Sequence, residues 1–173
     1  MGDVSPATKG VVTVRRATPD DCDALVDLVR ELNIYQNDPI EFFTEESVAR
    51  DVFGPDAAVV ALIGELDDRP AGYAFYHGAY ESGWAVQGLY VSDLYVTENA
   101  RRQGLAKALM AAIAREAKAL GKNYLWWTSS AWNETAHEFY AAIGASSEPV
   151  IAHALTFEAF EALADEGESS TEP

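Results

Sequence analysis

Residues 91–106 place a β-type run directly before the start of a long amphipathic helix. They read V-S-D-L-Y-V-T-E-N-A-R-R-Q-G-L-A. After the apolar run up to Val96, a short polar stretch leads to Arg101, Gly104 and Ala106, where helical spacing begins. A strand that feeds a glycine-containing loop at a helix start presents free backbone N–H groups and the positive end of the helix dipole. The pattern therefore predicts an α/β fold with an anion site, suited to a pyrophosphate, at residues 101–107.

The flanking sequence predicts one mixed α/β domain over residues 11–160, between a flexible arm at 1–10 and an acidic, disordered tail at 161–173. Period-two and apolar runs predict strands at 11–16, 57–63, 70–80, 85–96, 124–128 and 150–157. The strands between 57 and 96 lie close enough in sequence for an antiparallel meander. Capping residues and apolar spacing predict helices from Thr18-Pro19 to about Tyr35, from Thr44, over 102–120, and over 134–143.

The net charge and the cysteine content of the chain limit the kinds of molecule that we expect it to bind. The chain has 28 acidic and 12 basic residues and a net charge of −16, which disfavours nucleic acid and anionic membranes and attracts a cation or an amine. Cys22 is the single cysteine, so an intrachain disulfide is impossible and a cysteine zinc site is disfavoured. The three histidines show no metal-ligand spacing, and no secretory signal opens the chain. We therefore expect a cytoplasmic protein without a metal.

The loop at residues 101–107 combines small residues with a local positive charge. Gly104 and Ala106 keep side chains away from the N–H groups of the helix start. Arg101, Arg102 and Lys107 place three of the 12 basic residues within seven positions. Capture of an anion explains this concentration, and a solvated helix start with ordinary surface arginines is the alternative.

Three segments together carry a resemblance to a known family. The loop has the order R-x-x-G-x-A, residues 130–146 read S-A-W-N-E-T-A-H-E-F-Y-A-A-I-G-A-S, and the first strand and helix contain R-R-A-T-P-D-D-C and E-L-N-I-Y-Q. In this order they resemble the GNAT N-acetyltransferases of the diamine (spermidine/spermine-type) group, over residues 12–157. The resemblance implies the GNAT fold, which is a mixed central sheet with an antiparallel N-terminal meander, a splayed parallel strand pair and helices on both faces. It also implies a homodimer that acetylates an amine with acetyl-CoA.

The resemblance further implies where the acetyl donor would lie. The donor would occupy the gap between the strand that ends at Val96 and the strand 124–128, with its pantetheine arm on main-chain groups of Leu94, Tyr95 and Val96. The pyrophosphate would bind Arg101, Arg102, Gln103, Gly104, Leu105, Ala106 and Lys107. The other side of the donor would be contacted by Asn133, Glu134, Thr135 and Ala136. Tyr140 would stand near the sulfur atom.

Two side chains have the chemistry that acyl transfer to an amine requires. The phenol of Tyr140 is protonated near neutral pH and can give a proton to the departing thiolate, although a packed core tyrosine is the alternative. Asp93 is a carboxylate in an otherwise apolar and aromatic strand, which tends to raise its pKa. It can accept a proton, through a water, or hold a cationic substrate; the alternatives are a structural hydrogen bond and a charge on an edge strand.

The identity of the acceptor remains open at this stage. The resemblance assigns the substrate amine to the region of Tyr35, Gln36, Ser92 and Asp93. Gln36 and Ser92 stand where diamine acetyltransferases tend to carry acidic side chains, and neither can neutralise an ammonium. We expect a small-molecule primary amine, such as a polyamine, an amino acid or a related amine, attacked directly within a ternary complex. A protein or aminoglycoside acceptor, a non-catalytic acyl-CoA-binding module and a purely structural domain are the alternatives.

Overall fold

The computed structural model describes residues 10–168 as two compact units, one up to Ala131 and one from Trp132. The first unit contains the strands β1 (Val12–Arg16), β2 (Val60–Leu66), β3 (Arg69–Glu81), β4 (Val86–Val96) and β5 (Tyr124–Trp126). Its helices are α1 (Cys22–Gln36), α2 (Glu45–Asp51) and α3 (Leu105–Ala119). The second unit contains α4 (Glu134–Ala142) and α5 (Phe157–Glu168). Among residues 10–168, no helix is long and apolar enough to cross a membrane.

The first unit is built on one five-stranded sheet with the order β1-β2-β3-β4-β5. Its first four strands are antiparallel neighbours, and β5 adds to β4 in parallel. The predicted meander and the mixed sheet are therefore confirmed. The turn between β2 and β3 is tighter than expected, because Asp67 and Asp68 both adopt left-handed backbone angles, with φ of 52° and 61°. Aspartate tolerates that conformation, so β3 begins already at Arg69.

Helices cover both faces of this sheet, as predicted. On one face, α1 and α2 bury Leu25, Leu28 and Val48 against Tyr73 and Phe75 of β3. On the other face, α3 packs so closely that a Cβ at Gly64 would lie 2.8 Å from Leu105 Cδ1. The spacing of Leu105, Leu109 and Ile113 puts these side chains on one buried side of α3.

The predicted helix boundaries are confirmed to within a few residues in most places. Thr44 caps α2, since its hydroxyl accepts the N–H of Ser47 at 3.3 Å. Gly121, with φ of 72°, follows α3 as the expected left-handed residue. The first turn after Thr18 is a 3-10 helix (Pro19–Asp21), and α1 starts after it. The helix predicted from residue 102 begins instead at Leu105, because Arg102 and Gly104 have positive φ.

The strand predicted at 150–157 is wrong. Residues 150–156 have no regular structure, and Val150, Ile151 and Leu155 are 54%, 82% and 53% exposed. An apolar alternating run forms a strand only when a neighbouring strand accepts its backbone hydrogen bonds, and no strand among residues 10–168 does so.

The prediction that residues 161–173 form a disordered tail is wrong for residues 161–168. Residues 161–168 belong to α5, where Phe157, Phe160 and Leu163 follow helical spacing. The acidic composition of the segment concealed this spacing. Residues 169–173, and the predicted arm at 1–10 apart from Gly10, lie outside the described part of the chain. The predicted domain range, 11–160, covers parts of both units and remains a prediction.

Candidate active site

The loop between β4 and α3 has the conformation of an open backbone cradle. A short 3-10 helix (Glu98–Ala100) follows β4, and Arg102 and Gly104 then adopt φ of 62° and 95°. Nothing lies within 4 Å of the position that a Cβ on Gly104 would occupy. Glycine is therefore favoured there by the backbone conformation, and the space beside it is open to a ligand.

The N–H groups of this cradle are available to an anion. No hydrogen bond of ordinary geometry joins the backbone N–H groups of residues 102–107 to any other residue within 10–168. They lie at the N-terminus of a 15-residue helix, where the helix dipole is positive. Arg102 and Lys107 are exposed and form no ion pair with the described residues. The cradle therefore fits a pyrophosphate.

Arg101 differs from Arg102 and Lys107 because its side chain contacts other residues of the protein. Its Nε donates to Val96 O at 3.2 Å. Its guanidinium lies over the ring of Tyr35, 5.5 Å from the centroid, which is within cation–π range. Arg101 thus joins the end of β4 to the end of α1, and it brings the loop to one of the residues that the sequence assigns to the acceptor.

The strands β4 and β5 separate after a short contact. They pair only between Gly88 and Tyr124, Leu89 and Leu125, and Tyr90 and Trp126. The register of β3 and β4 shifts between Phe75 and Tyr76, which leaves Ser92 as the extra residue of a β-bulge in β4. Beyond Val91, β4 has no strand on its β5 side among residues 10–168. The predicted splayed pair is present.

The open edge of β4 offers main-chain groups to the gap. Thr97 N donates to Ala71 O at 2.9 Å, so Thr97 faces β3. Because successive residues of a strand alternate, the N–H and C=O groups of Val96 and Leu94 point away from β3, and those of Tyr95 point toward it. Of the three residues predicted for the pantetheine arm, Leu94 and Val96 are the two that can reach it by main-chain bonds.

Asp93 is a half-buried carboxylate with one phenolic partner. Its Oδ2 accepts a hydrogen bond from Tyr73 Oη at 3.1 Å. Burial raises the pKa of Asp93, and the hydrogen bond from Tyr73 acts in the opposite direction. Burial also raises the pKa of Tyr73, so its phenol stays protonated and remains the donor. Asp93 therefore has both the raised pKa expected of a proton acceptor and the hydrogen bond expected of a structural residue.

The other residues predicted to bind the acceptor lie at the surface of the first unit. Tyr35 and Gln36 form the exposed last turn of α1, and Ser92 is exposed at the bulge. Beneath them, Tyr95 Oη donates to Glu31 Oε2 at 3.0 Å and ties β4 to α1. Burial, followed by this hydrogen bond, raises the pKa of Tyr95 to about 12.

The second unit carries the other predicted residues on α4. The side chain of Asn133 caps this helix by accepting the N–H of Ala136 at 3.1 Å. Glu134 and Thr135 are exposed in the first turn. Tyr140 is half-buried, and burial raises the pKa of its phenol, which keeps the proton on the oxygen near neutral pH.

Sequence reasoning missed Tyr73 as the partner of Asp93. The two residues are 20 positions apart, and strand alternation alone does not say which of them meet. The register of β3 and β4 decides it, because Tyr73 pairs with Tyr95, and Phe75 with Asp93, on one face of the sheet.

Comparison with known proteins identifies the family. Residues 25–145 match the Acetyltransferase (GNAT) family. The chain belongs to this family. It is 30% identical over 144 residues to the thialysine N-epsilon-acetyltransferase of Bos taurus, covering 78% of this chain and 84% of that protein. It is 31% identical over 134 residues to the Caenorhabditis elegans enzyme of the same name, covering 77% and 80%.

A solved structure has a similar fold. An integron cassette protein from the mobile metagenome of V. cholerae matches with a TM-score of 0.74 at 26% identity, covering 88% of this chain and 97% of that one. The GNAT fold and the predicted resemblance are thereby confirmed, and the chain is an acetyltransferase.

Proposed function

We propose that this GNAT acetyltransferase moves an acetyl group from acetyl-CoA to a primary amine of a small molecule, by direct attack within a ternary complex. The observation that carries the proposal is the cradle of N–H groups at residues 102–107, which lies beside the open edge of β4. The relatives support the kind of acceptor, because their names specify the ε-nitrogen of thialysine. A polyamine, an amino acid or a related amine is the acceptor class that we propose.

The residues that the resemblance assigns to the donor would hold it. The N–H groups of residues 102–107, with Arg102 and Lys107, would bind its pyrophosphate. Main-chain groups of Leu94 and Val96 would meet its pantetheine arm, and the resemblance assigns Tyr95 and residues 133–136 to the donor as well. Acetyl-CoA supplies the acetyl thioester, and the backbone and side chains of this chain would bind it and move the protons.

Asp93 and Tyr140 would move the protons. The acceptor arrives as an ammonium near the region of Tyr35, Gln36 and Ser92, and loses one proton to the carboxylate of Asp93, directly or through a water. The neutral nitrogen forms a bond to the acetyl carbon as the carbon–sulfur bond breaks, and its second proton leaves to solvent. Tyr140 gives its phenolic proton to the sulfur and regains one from solvent, and Asp93 releases its proton to solvent.

The proposal also includes the oligomeric state and the cellular compartment. The resemblance to diamine acetyltransferases favours a homodimer, which light scattering tests directly. The single cysteine, which cannot form an intrachain disulfide, favours a reducing compartment such as the cytoplasm.

The decisive experiment is a screen of amines with the full-length chain. Diamines, amino acids, amino sugars and a peptide are each incubated with acetyl-CoA, while thiol release and the mass of the product are measured. We expect acetylation of small primary amines, and no thiol release with any of them would contradict the proposal. In Tyr140→Phe, turnover should fall by about 100-fold or more while affinity for CoA stays unchanged. Tyr76→Phe, which removes a phenol that contacts Glu116 of α3, is the matched control.

A further inference from the structure

The open edge of β4 has the cradle at one end and the strand pair with β5 at the other. The cradle follows Val96, and the last strand pair is formed by Tyr90 and Trp126. From Tyr90 to Val96 the strand spans roughly 20 Å, because each residue of a strand rises by about 3.3 Å. A donor whose pyrophosphate lies in the cradle, and whose pantetheine arm passes Val96 and then Leu94, therefore points its acyl group toward Tyr90.

Beside the last strand pair, two side chains connect β4 to the segment that follows β5. A hydrogen bond of 3.2 Å joins Tyr90 Oη and Thr128 Oγ1. The ring of Tyr90 also lies against that of Trp126, with 5.0 Å between the two centroids. We refer to the side chains of Tyr90 and Thr128 as the bridge. The bridge crosses from β4 to the β5 side at the point where the two strands cease to pair.

The bridge lies on the same face of the sheet as Asp93. Phe75 and His77 are two residues apart on β3 and therefore point to one face, and their partners on β4 are Asp93 and Tyr90. The bulge at Ser92 lies between these two partners. If Asp93 takes the proton of the acceptor, the thioester reacts beside it. The next side chain of β4 on this face, in the direction of the strand pair with β5, is then that of Tyr90.

Beyond the bridge, the first unit has space for a longer acyl chain. A cleft of about 330 Å³ opens between the end of β3 and β5, and Tyr90 and Trp126 line it. Its other lining residues on this face include His77, Ala79 and Tyr124. An acyl chain that extends from Asp93 along this face reaches the cleft only by passing the bridge.

We propose that the bridge of Tyr90 and Thr128 limits the length of the acyl group that this acetyltransferase transfers. It closes the gap behind an acetyl group and keeps longer acyl groups out of the cleft. This inference rests on the proposed function and adds a pair of residues that selects the donor. A chain with two more methylenes would have to break the hydrogen bond of the bridge or displace its side chains, and such crowding is costly.

Two donors that differ in acyl length test the assignment. With cadaverine as the acceptor, kcat/KM is measured for acetyl-CoA and for butyryl-CoA. The wild type should prefer acetyl-CoA by about 30-fold or more, because one extra methylene in a confined site costs about tenfold. In Thr128→Ala the preference should fall to about fivefold or less, through a rise in the value for butyryl-CoA. Tyr90→Phe, which removes only the phenolic oxygen, should lower the preference by about threefold or more.

The chain offers a matched control for Thr128→Ala. Thr13 also uses its hydroxyl in one hydrogen bond, to Glu65 Oε2 at 2.8 Å, but it lies on β1 at the other edge of the sheet. Thr13→Ala should therefore leave the preference for acetyl-CoA unchanged. Thr128→Ser keeps the hydroxyl group and should retain most of the preference. A loss of stability lowers the values for both donors together, whereas the loss of a barrier raises the value for butyryl-CoA.

Thr128 is exposed and lies outside regular structure, so Thr128→Ala remains informative if Tyr90→Phe fails to fold. A preference for acetyl-CoA that survives unchanged in Thr128→Ala would overturn the assignment. So would a wild type that uses the two donors equally well.

A binding measurement separates this inference from the proposed function. Calorimetric titration of the amine-free protein should show tighter binding of acetyl-CoA than of butyryl-CoA, and Thr128→Ala should reduce this difference. If no amine is acetylated but this binding pattern holds, the proposed function fails and the bridge assignment stands. If amines are acylated, and butyryl-CoA binds and reacts as well as acetyl-CoA does, the bridge assignment fails and the proposed function stands.

Discussion

At the scale of single residues, the pair formed by Asp93 and Tyr73 shows how one hydrogen bond opposes the effect of burial on the pKa of a carboxylate. Burial favours the protonated carboxyl, because removing a charge from water is costly. The phenol of Tyr73 favours the carboxylate, because it donates to Oδ2. If Asp93 takes the proton of the acceptor, this balance sets the lowest pH at which the enzyme works.

Tyr73→Phe should therefore shift the pH dependence of the reaction. Loss of the hydrogen bond raises the pKa of Asp93, so the carboxylate is protonated at a higher pH and the acid limb of the kcat/KM profile moves upward. Tyr73 is fully buried and the substitution removes a single oxygen atom, so the packing is conserved. In Tyr76→Phe, which removes a phenol on the face of α3, the limb should stay in place. If the acid limb of the kcat/KM profile does not move in Tyr73→Phe, a group other than Asp93 accepts the proton of the acceptor.

Gly104 is the second residue whose conformation has a testable consequence. Its φ of 95° strains any side chain, although nothing lies within 4 Å of the Cβ position. In Gly104→Ala the loop should relax away from the cradle, and the affinity for acetyl-CoA should fall by about tenfold or more, as measured by calorimetry.

Gly121 provides the control for Gly104. It has φ of 72° and an equally open surrounding, but it lies at the other end of α3. Gly121→Ala should lower the free energy of unfolding by about 1 kcal/mol, as Gly104→Ala does, and leave the affinity for acetyl-CoA intact. Equal loss of affinity in both variants would show that stability, and not the cradle, is the cause.

At the scale of elements, local signals predicted most of the first unit. Thr44 begins a helix, Gly121 ends one, and the apolar runs in β2, β3 and β4 mark strands, because each of these signals acts within a few residues. The strand prediction for residues 150–157 was wrong because a strand requires a neighbouring strand. The sequence alone does not show whether the edge of a sheet is available for pairing. The contacts of Tyr90 with His77 and Trp126 were missed for a related reason, since the register of three strands alone brings these rings together.

The junction of β1 with the first helical turn depends on one ion pair. Arg15 donates to both carboxylate oxygens of Asp21 at 2.7 Å, and Thr18 N donates to Oδ2 at 2.8 Å. Asp21 is 6% exposed, and the hydrogen bonds of Arg15 lower its pKa to about 2. Because the folded pKa lies below the unfolded one, the pair stabilises the fold above about pH 4 and loses this effect as the pH falls toward 2.

Asp21→Asn should lower the free energy of unfolding by about 1 to 2 kcal/mol at pH 7, after allowance for solvent screening at the partly exposed Arg15. The difference in the free energy of unfolding between the variant and the wild type should shrink as the pH is lowered from 4 to 2. Urea unfolding at each pH measures this difference. Asp20→Asn removes the same charge from the neighbouring, exposed position and should have little effect. A difference that persists unchanged at pH 2 would show that the pair does not act through ionisation.

At the scale of the whole molecule, the charge of the protein should affect the two proposed substrates differently. The chain carries a net charge of −16, yet three of its 12 basic residues lie within residues 101–107. The field of this net charge attracts cations and opposes anions, so an anionic donor would depend on the local cradle and a cationic acceptor would benefit from the charge of the entire surface. The family relation does not dictate this division, which follows from the composition of this chain.

Ionic strength should therefore affect acceptors according to their charge. With acetyl-CoA saturating, raising potassium chloride from about 0.02 M to 0.5 M shortens the screening length to a few ångströms and removes the long-range attraction. We expect kcat/KM to fall more steeply for cadaverine, a dication, than for n-hexylamine, a monocation, with kcat at saturating acceptor unchanged. Sodium chloride should act like potassium chloride, and sucrose at equal osmolality should have no such effect. Equal slopes for the two amines would mean that only contacts inside the site, and not the charge of the whole molecule, draw the acceptor in.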